Sequence, residues 1–455
     1  MKNFKKFGAM LGILSLGLSS LTACSSGNEI TTPKEEVPVA SSEQKEKKKD
    51  TNKEEKKEDT NKEEKETVGE DVVIRYWQHS SAARDEIMKE LADNFMKENP
   101  NIQVELEFIP EDSYTQKLIP ALASGTAPDV FQLQSGMINR LAKQGSIQPL
   151  DESIISGEEL DKVFVPSTIE ALKVDGKYYG LPTDVQTVIT FWNKALAQEA
   201  GLDAEKGPQT WEEMREWAIK LTKMENGMMA QSGWGHKGYF PEVQAVIEQS
   251  GGKFVDDTGK FVFADDPKSV EAITFLTDLY RKDKVYNMDF MKNWAGFRQG
   301  KVAMMIGHPA MIGNLKTTAP DIDYTVGLLP TMGGEPTTVV TSWGYVMSNN
   351  AKADAATKFI LYLTSEEVQR MWTETTGELP SRVNLLEDAQ LASDPKVAVA
   401  LESLKYSIVG NLQMGQLSSI WQTGYESIIL TDRPVQEVLT ETQNLLNEEI
   451  AKDIK

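Results

Sequence analysis

Between Val72 and Leu133 the hydrophobic period of this chain switches back and forth, and that alternation limits its fold more than any other feature. Val72-Val73-Ile74-Arg75-Tyr76-Trp77 is rich in β-branched and aromatic residues and reads as a strand. Ile87, Leu91, Phe95 and Met96 then recur at helical spacing, and Asn99-Pro100 stops that helix. Ile102 to Ile109 alternates as a second strand. Tyr114 to Ser124 is helical again, with Gly125 suited to its C-cap. Pro128 to Leu133 is a third strand. Strand, helix, strand, helix, strand implies a parallel sheet joined by crossover helices, hence an α/β fold.

The second half repeats the style. Thr187 to Trp192 reads as a strand, Thr210 to Met224 as a capped helix, Ser269 to Lys282 as a helix and Val302 to Ile306 as a strand. Val435 to Ile450 is a closing helix, with Val438, Leu439, Leu445 and Leu446 expected inward. The chain has 455 residues, enough for two or three units with their own cores.

The N-terminal part is of a different kind. Lys2, Lys5 and Lys6 precede an apolar run from Phe7 to Leu18, which has the length of an export signal and is short for a membrane span. Leu21-Thr22-Ala23-Cys24 follows, and Cys24 is the only cysteine. This resembles a bacterial lipobox, which implies that residues 1–24 are a lipoprotein signal and that the Cys24 thiol carries a diacylglyceryl group on the outer face of the cell membrane. Two acyl chains anchor stably where one binds marginally. Residues 25–70 repeat Asp-Thr-Asn-Lys-Glu-Glu-Lys at 50–56 and 59–65 and hold few large apolar residues. Such a segment buries too little surface to offset ordering entropy and reads as a disordered charged tether. As a flexible coil it would average roughly 35–40 Å end to end.

Of the net charge of −21, the leader carries +3 and the tether −4, which leaves −20 on residues 71–455. A body this acidic repels nucleic acid and anionic lipid. With one cysteine, no disulfide forms within the chain. The three histidines, His79, His236 and His308, lack metal-ligand spacing, so no metal and no cofactor is expected. There is no G-x-S-x-G, P-loop or H-E-x-x-H. A glycoside-cleaving carboxylate pair stays open, although no spacing singles one out.

Aromatic and amide side chains gather instead at strand ends and loops. Gln78 and His79 end the first strand, and Gln134 and Ser135 follow the third. Asp184 and Gln186 open the second half, Trp234, Tyr239 and Phe240 lie in a glycine-rich loop, and Trp343 sits in Thr341-Ser342-Trp343-Gly344. Ligands of open α/β sheets bind beyond the carboxyl ends of strands. Sugars there stack C–H faces on flat rings and hydrogen-bond to planar donor–acceptor side chains. Trp211 and Trp217, inside a helix, are assigned to a core.

Residues 71–455 resemble the extracellular solute-binding proteins of the carbohydrate family served by ABC importers. The markers are Phe95-x3-Asn99-Pro100; Gly125-Thr126-Ala127-Pro128-Asp129-Val130; Gly176 to Pro182 running to Phe191-Trp192-Asn193-Lys194; Thr210-Trp211-Glu212-Glu213; Phe297 to Met304; and Gly327-Leu328-Leu329-Pro330. The resemblance implies a monomer with two α/β lobes joined by crossing strands. Lobe one would be 71–182 plus 326–366, and lobe two 183–325 plus 367–455. It also implies a permease partner and a sugar cleft that adds His308, Arg382 and Trp421 to the residues above. On that basis Trp421 and Trp234 rank above Trp343 as stacking rings. Two departures matter. Gln78-His79 stands where the family has an acidic and a basic residue, and Gly307-His308-Pro309 is followed by Ala310 and Met311 where it has tryptophan. The identity of the sugar is therefore not inherited. Two rivals remain: a lipid-anchored glycosidase, and the same fold holding a polyamine, metal or phosphate.

Overall fold

The computed structural model describes residues 71–453, apart from 237, 257 and 411–414. They belong to one compact unit, Thr67–Lys455. Cys24 and the tether lie outside the described residues.

The opening alternation builds the first sheet. Strand β1 (Val72–Ser80) runs parallel to β2 (Ile102–Pro110) and to β3 (Val130–Gln134), and helices α1 (Ala82–Glu98) and α2 (Glu111–Ser124) make the crossovers. Ser81 caps α1 by accepting from the Arg84 N–H, and Gly125, at φ 71°, ends α2 in the left-handed conformation its missing Cβ allows. The long strand Thr338–Ser348 then returns antiparallel to β3 and pairs on its other side with the strand Gly180–Gln186.

A second sheet has Ile189–Asn193 at its centre, antiparallel to Met304–Gly307 and Tyr324–Gly327. The chain passes between the sheets at 187–188 and again between 327 and 338. The two passages are stitched together at Thr338, whose hydroxyl accepts from the Val188 N–H at 3.1 Å and donates to the Val188 carbonyl at 2.7 Å.

Each sheet is buried on both faces. Tyr76, Leu91, Phe95, Phe359 and Trp372 pack on one side of the first, and Ile109, Leu118, Phe131 and Ile138 on the other. The second carries a large aromatic core of Trp192, Trp211, Trp217, Trp234, Phe254 and Trp421 on one side, and Phe191, Phe297, Met305 and Leu379 on the other. Trp211 and Trp217 are thus core residues, as expected.

Two expectations need correction. The helix that starts at Trp211 ends at Leu221, because Lys223–Glu225 and Met228–Gln231 form a hairpin. Its turn is Asn226-Gly227, both at positive φ, the pairing that suits a tight hairpin. In the closing helix Val435–Asp453, Val438, Leu439 and Leu446 are buried, but Leu445 is exposed. The buried face centres on Leu439, Thr442, Gln443 and Leu446, which leaves Leu445 at its edge. No helix among the described residues is long and apolar enough to cross a membrane.

Candidate ligand site

The carboxyl ends of β1 and β3 lie level with the middle of the long strand, because Trp343 pairs with Gln134 on one side and with Asp184 on the other. This register brings four sequence candidates, His79, Gln134, Asp184 and Trp343, to one edge of the first sheet. The His79 ring stacks on Trp343 at 4.4 Å and 30°. Tyr114, from α2, closes on both edge-on, at 5.9 Å from His79 and 6.2 Å from Trp343. Its hydroxyl donates to the Gln132 carbonyl at 2.7 Å, which fixes the ring.

Beneath this edge lies a buried charged group that sequence reasoning missed. Arg84 donates from Nε to Glu378 Oε1 at 2.6 Å and makes a second contact to the same oxygen, and Trp372 Nε1 donates to Glu378 Oε2 at 2.6 Å. Burial pushes the Glu378 carboxyl up to about 7, against the pull of Arg84. Burial also raises Asp184, again with Arg84 opposing. The same guanidinium adds to burial in holding the His79 imidazole well below its ordinary range. One buried cation therefore faces two carboxylates and a neutral imidazole. One signal of Arg84 was readable: a basic side chain in the first turn of a helix runs against the helix dipole and needs a partner elsewhere.

Three buried polar atoms of this neighbourhood make no well-formed hydrogen bond among the described residues, His79 Nδ1, Gln132 Oε1 and Asp184 Oδ2, although Gln132 approaches His79 and Gln186 approaches Asp184. Buried polar groups are nearly always paired, and each one left unmade costs about 1–3 kcal/mol. Their concentration beside an aromatic platform is what a ligand with several hydroxyls would complete.

On the second-sheet side, His308 sits against the passage between the sheets. Its Nδ1–H donates to the Thr187 carbonyl at 2.8 Å, so Nε2 is the acceptor and takes the hydroxyl proton of Tyr239. Burial lowers the His308 imidazole to about 4. Phe240, half-buried, packs beside Tyr239 at 6.0 Å. Gln186 and Ser135 are buried near the sheet ends.

Four candidates are placed otherwise. Trp234 is fully buried in the aromatic core, edge-on to Trp211 at 6.2 Å. Trp421 is buried between Phe254 and Phe263, at 5.6 and 5.5 Å, with Nε1 donating to the Gly238 carbonyl. Neither presents a face to a ligand here, which reverses the ranking expected from the sequence. Gln78 points to the face of the sheet opposite His79, where it accepts from the Tyr76 hydroxyl and donates to Asp85. Arg382 donates to the Thr364 carbonyl at 2.9 Å and lies over Phe164, on the flank of the first core. A surface hollow of about 600 Å³ among Met228, Tyr286 and Leu430 lies elsewhere and gathers none of the candidates.

Comparison with known proteins agrees with this architecture. The family model for bacterial extracellular solute-binding proteins matches residues 90–399. A maltotriose-binding protein of Pyrococcus abyssi is 25% identical over 328 residues, covering 70% of this chain and 69% of the relative. The sn-glycerol-3-phosphate-binding periplasmic protein of Pectobacterium atrosepticum is 26% identical over 329 residues, covering 68% and 72%. Among solved structures, an ABC transporter solute-binding protein of Thermotoga lettingae bound with α-D-tagatose superposes with a TM-score of 0.74 at 26% identity, covering 83% of this chain and 99% of that one. The two-lobe α/β fold is that of the sugar-binding proteins of ABC importers. This chain belongs to the bacterial extracellular solute-binding protein family.

Proposed function

We propose that this protein captures an uncharged sugar or short oligosaccharide between its two lobes and hands it to an ABC importer. The observation that carries this reading is the strand-end edge where the stacked His79 and Trp343 rings lie beside unpartnered Asp184 Oδ2 and Gln132 Oε1. Both oxygens accept, so the ligand that completes them donates, as sugar hydroxyls do. The rings supply a flat surface for C–H groups. A phosphate ligand is the second reading, because one relative binds sn-glycerol 3-phosphate. Asp184 and the partly ionised Glu378 oppose it, since they already offset the charge of Arg84 and leave an anion no net attraction there. The sugars named for relatives and neighbours support the first reading.

The lobes expected as residues 71–182 with 326–366 and residues 183–325 with 367–455 shift at one passage: the helix Glu366–Thr376 carries Val368 and Trp372 into the first core, so we infer a first lobe that extends through it. Closure on the ligand would bury it and reshape the surface a permease meets. We also infer a monomer without catalytic activity, held by a lipid on Cys24 and spaced from the membrane by residues 25–70. Cys24→Ser should then release the protein from membranes, and continued quantitative fractionation with them would refute the anchor. The ligand is tested by thermal shift of the full chain with maltotriose, mannobiose, D-tagatose and sn-glycerol 3-phosphate. A ligand at a hundredfold its Kd stabilises by about 2.7 kcal/mol. A sugar should raise the melting temperature with no sugar consumed. A response to the phosphate alone, or turnover of the sugar, would overturn the reading.

A further inference from the structure

The second half holds a polar group that the candidate site does not use. His236, Glu242 and Tyr425 are each sealed from solvent inside the aromatic core. His236 Nε2 accepts from the Gly238 N–H at 3.3 Å and lies 2.6 Å from the Tyr425 hydroxyl. Its Nδ1–H therefore donates to Glu242 Oε2, at 2.5 Å. The histidine is thus held in one tautomer from both sides. Histidine, carboxylate and hydroxyl in line have the form of an activated nucleophile, but no substrate reaches a group this deep.

What the group does hold is the loop that carries Tyr239. Gly238, at φ 75°, is clamped on three sides: its N–H by His236, its carbonyl by Trp421 Nε1 at 2.9 Å, and its Cα by the Tyr425 ring, which leaves no room for a side chain. The next residue, Tyr239, donates to His308 Nε2, and His308 donates to Thr187 on the passage between the sheets. A continuous line of bonds thus runs from the buried group through the site loop to the hinge.

We propose that His236 and Glu242 are positioning residues for the ligand cleft: they fix Gly238 so that Tyr239 meets His308. This rests on the reading of Tyr239 and His308 as part of the ligand site, but its first test needs no ligand. The sequence has three histidines, so 15N-histidine labelling gives three imidazoles to assign by single substitution. In the full chain, Tyr239→Phe sets the Nε2 shift of His308 without its bond. His236→Leu and Glu242→Leu should move that shift toward the Tyr239→Phe value. His236→Gln should restore it, because its amide can accept from Gly238 and donate to Glu242. Glu242→Gln, which preserves shape, keeps the test alive if the leucine variants fail to fold. With the sugar that the thermal-shift panel identifies, His236→Leu should weaken binding about 5- to 30-fold and add nothing in a Tyr239→Phe background. An unchanged His308 Nε2 in folded variants, or affinity losses that multiply, would overturn the proposal. If no sugar binds but the Nε2 shift moves, the positioning role stands and the sugar reading falls.

Discussion

The two halves of this molecule use the same kinds of residue to opposite ends. At the strand ends of the first sheet, His79 and Trp343 stand beside polar atoms that lack partners. In the second half, Trp421 and His236 are themselves bonded in a core sealed from water, although Trp234 Nε1, Glu242 Oε1 and the Tyr286 hydroxyl around them also lack partners. Tryptophan and histidine therefore line a candidate site in one half and a core in the other. The discriminating feature is whether the ring keeps an accessible face for a ligand: Trp343 is partly exposed, whereas Trp421 is buried.

The contrast breaks most sharply on stability. Trp421→Ala empties a packed aromatic site and should cost about 3–5 kcal/mol in denaturant unfolding. A loss confined to a few tenths would place Trp421 on a cleft wall after all. The buried pair should respond as a pair. Glu378→Leu alone strands Arg84 and should also cost about 3–5 kcal/mol, while the double variant Arg84→Met/Glu378→Leu should be more stable than that single one. Additive losses would contradict the ion-pair account.

A smaller effect comes from acid. The folded His308 imidazole titrates at about 4, below its ordinary 6.5, so the unfolded chain takes up the proton first as pH falls. His308 therefore removes stability between pH 6.5 and 4, on the order of 1–2 kcal/mol for a half-buried ring. Glu378 works in reverse between 4.5 and 7, since its folded form keeps the proton longer and gains stability as pH falls. Comparing wild type with His308→Gln isolates the first term. The variant should lose less stability on acidification, and equal slopes would show that His308 does not titrate as its surroundings require.

Much of the fold was legible because its signals are local. The elements from Val72 to Gln134 follow from period and capping, and the structure differs by a few residues at each end. The strands Gly180–Gln186 and Thr338–Ser348 were not legible. Strands buried on both faces lose the alternation that betrays a strand. The site was half legible for a related reason. His79, Gln134 and Asp184 sit where a sheet presents ligands, which topology predicts. Arg84 and Glu378 stand 294 positions apart, and no local pattern announces that pairing. Trp234 and Trp421 misled because a glycine-rich loop and a helix can both turn their aromatic residues inward.

The most direct test of the two-region account is calorimetric titration of Trp343→Ala and Trp421→Ala with the sugar that the panel identifies. If the ligand lies against the His79–Trp343 edge, Trp343→Ala should lose at least about 2 kcal/mol of binding, roughly thirtyfold, and melt close to wild type. Trp421→Ala should bind nearly normally at temperatures where it remains folded. Normal affinity in Trp343→Ala beside a thirtyfold loss in a well-folded Trp421→Ala would contradict the account and return the site to the second half.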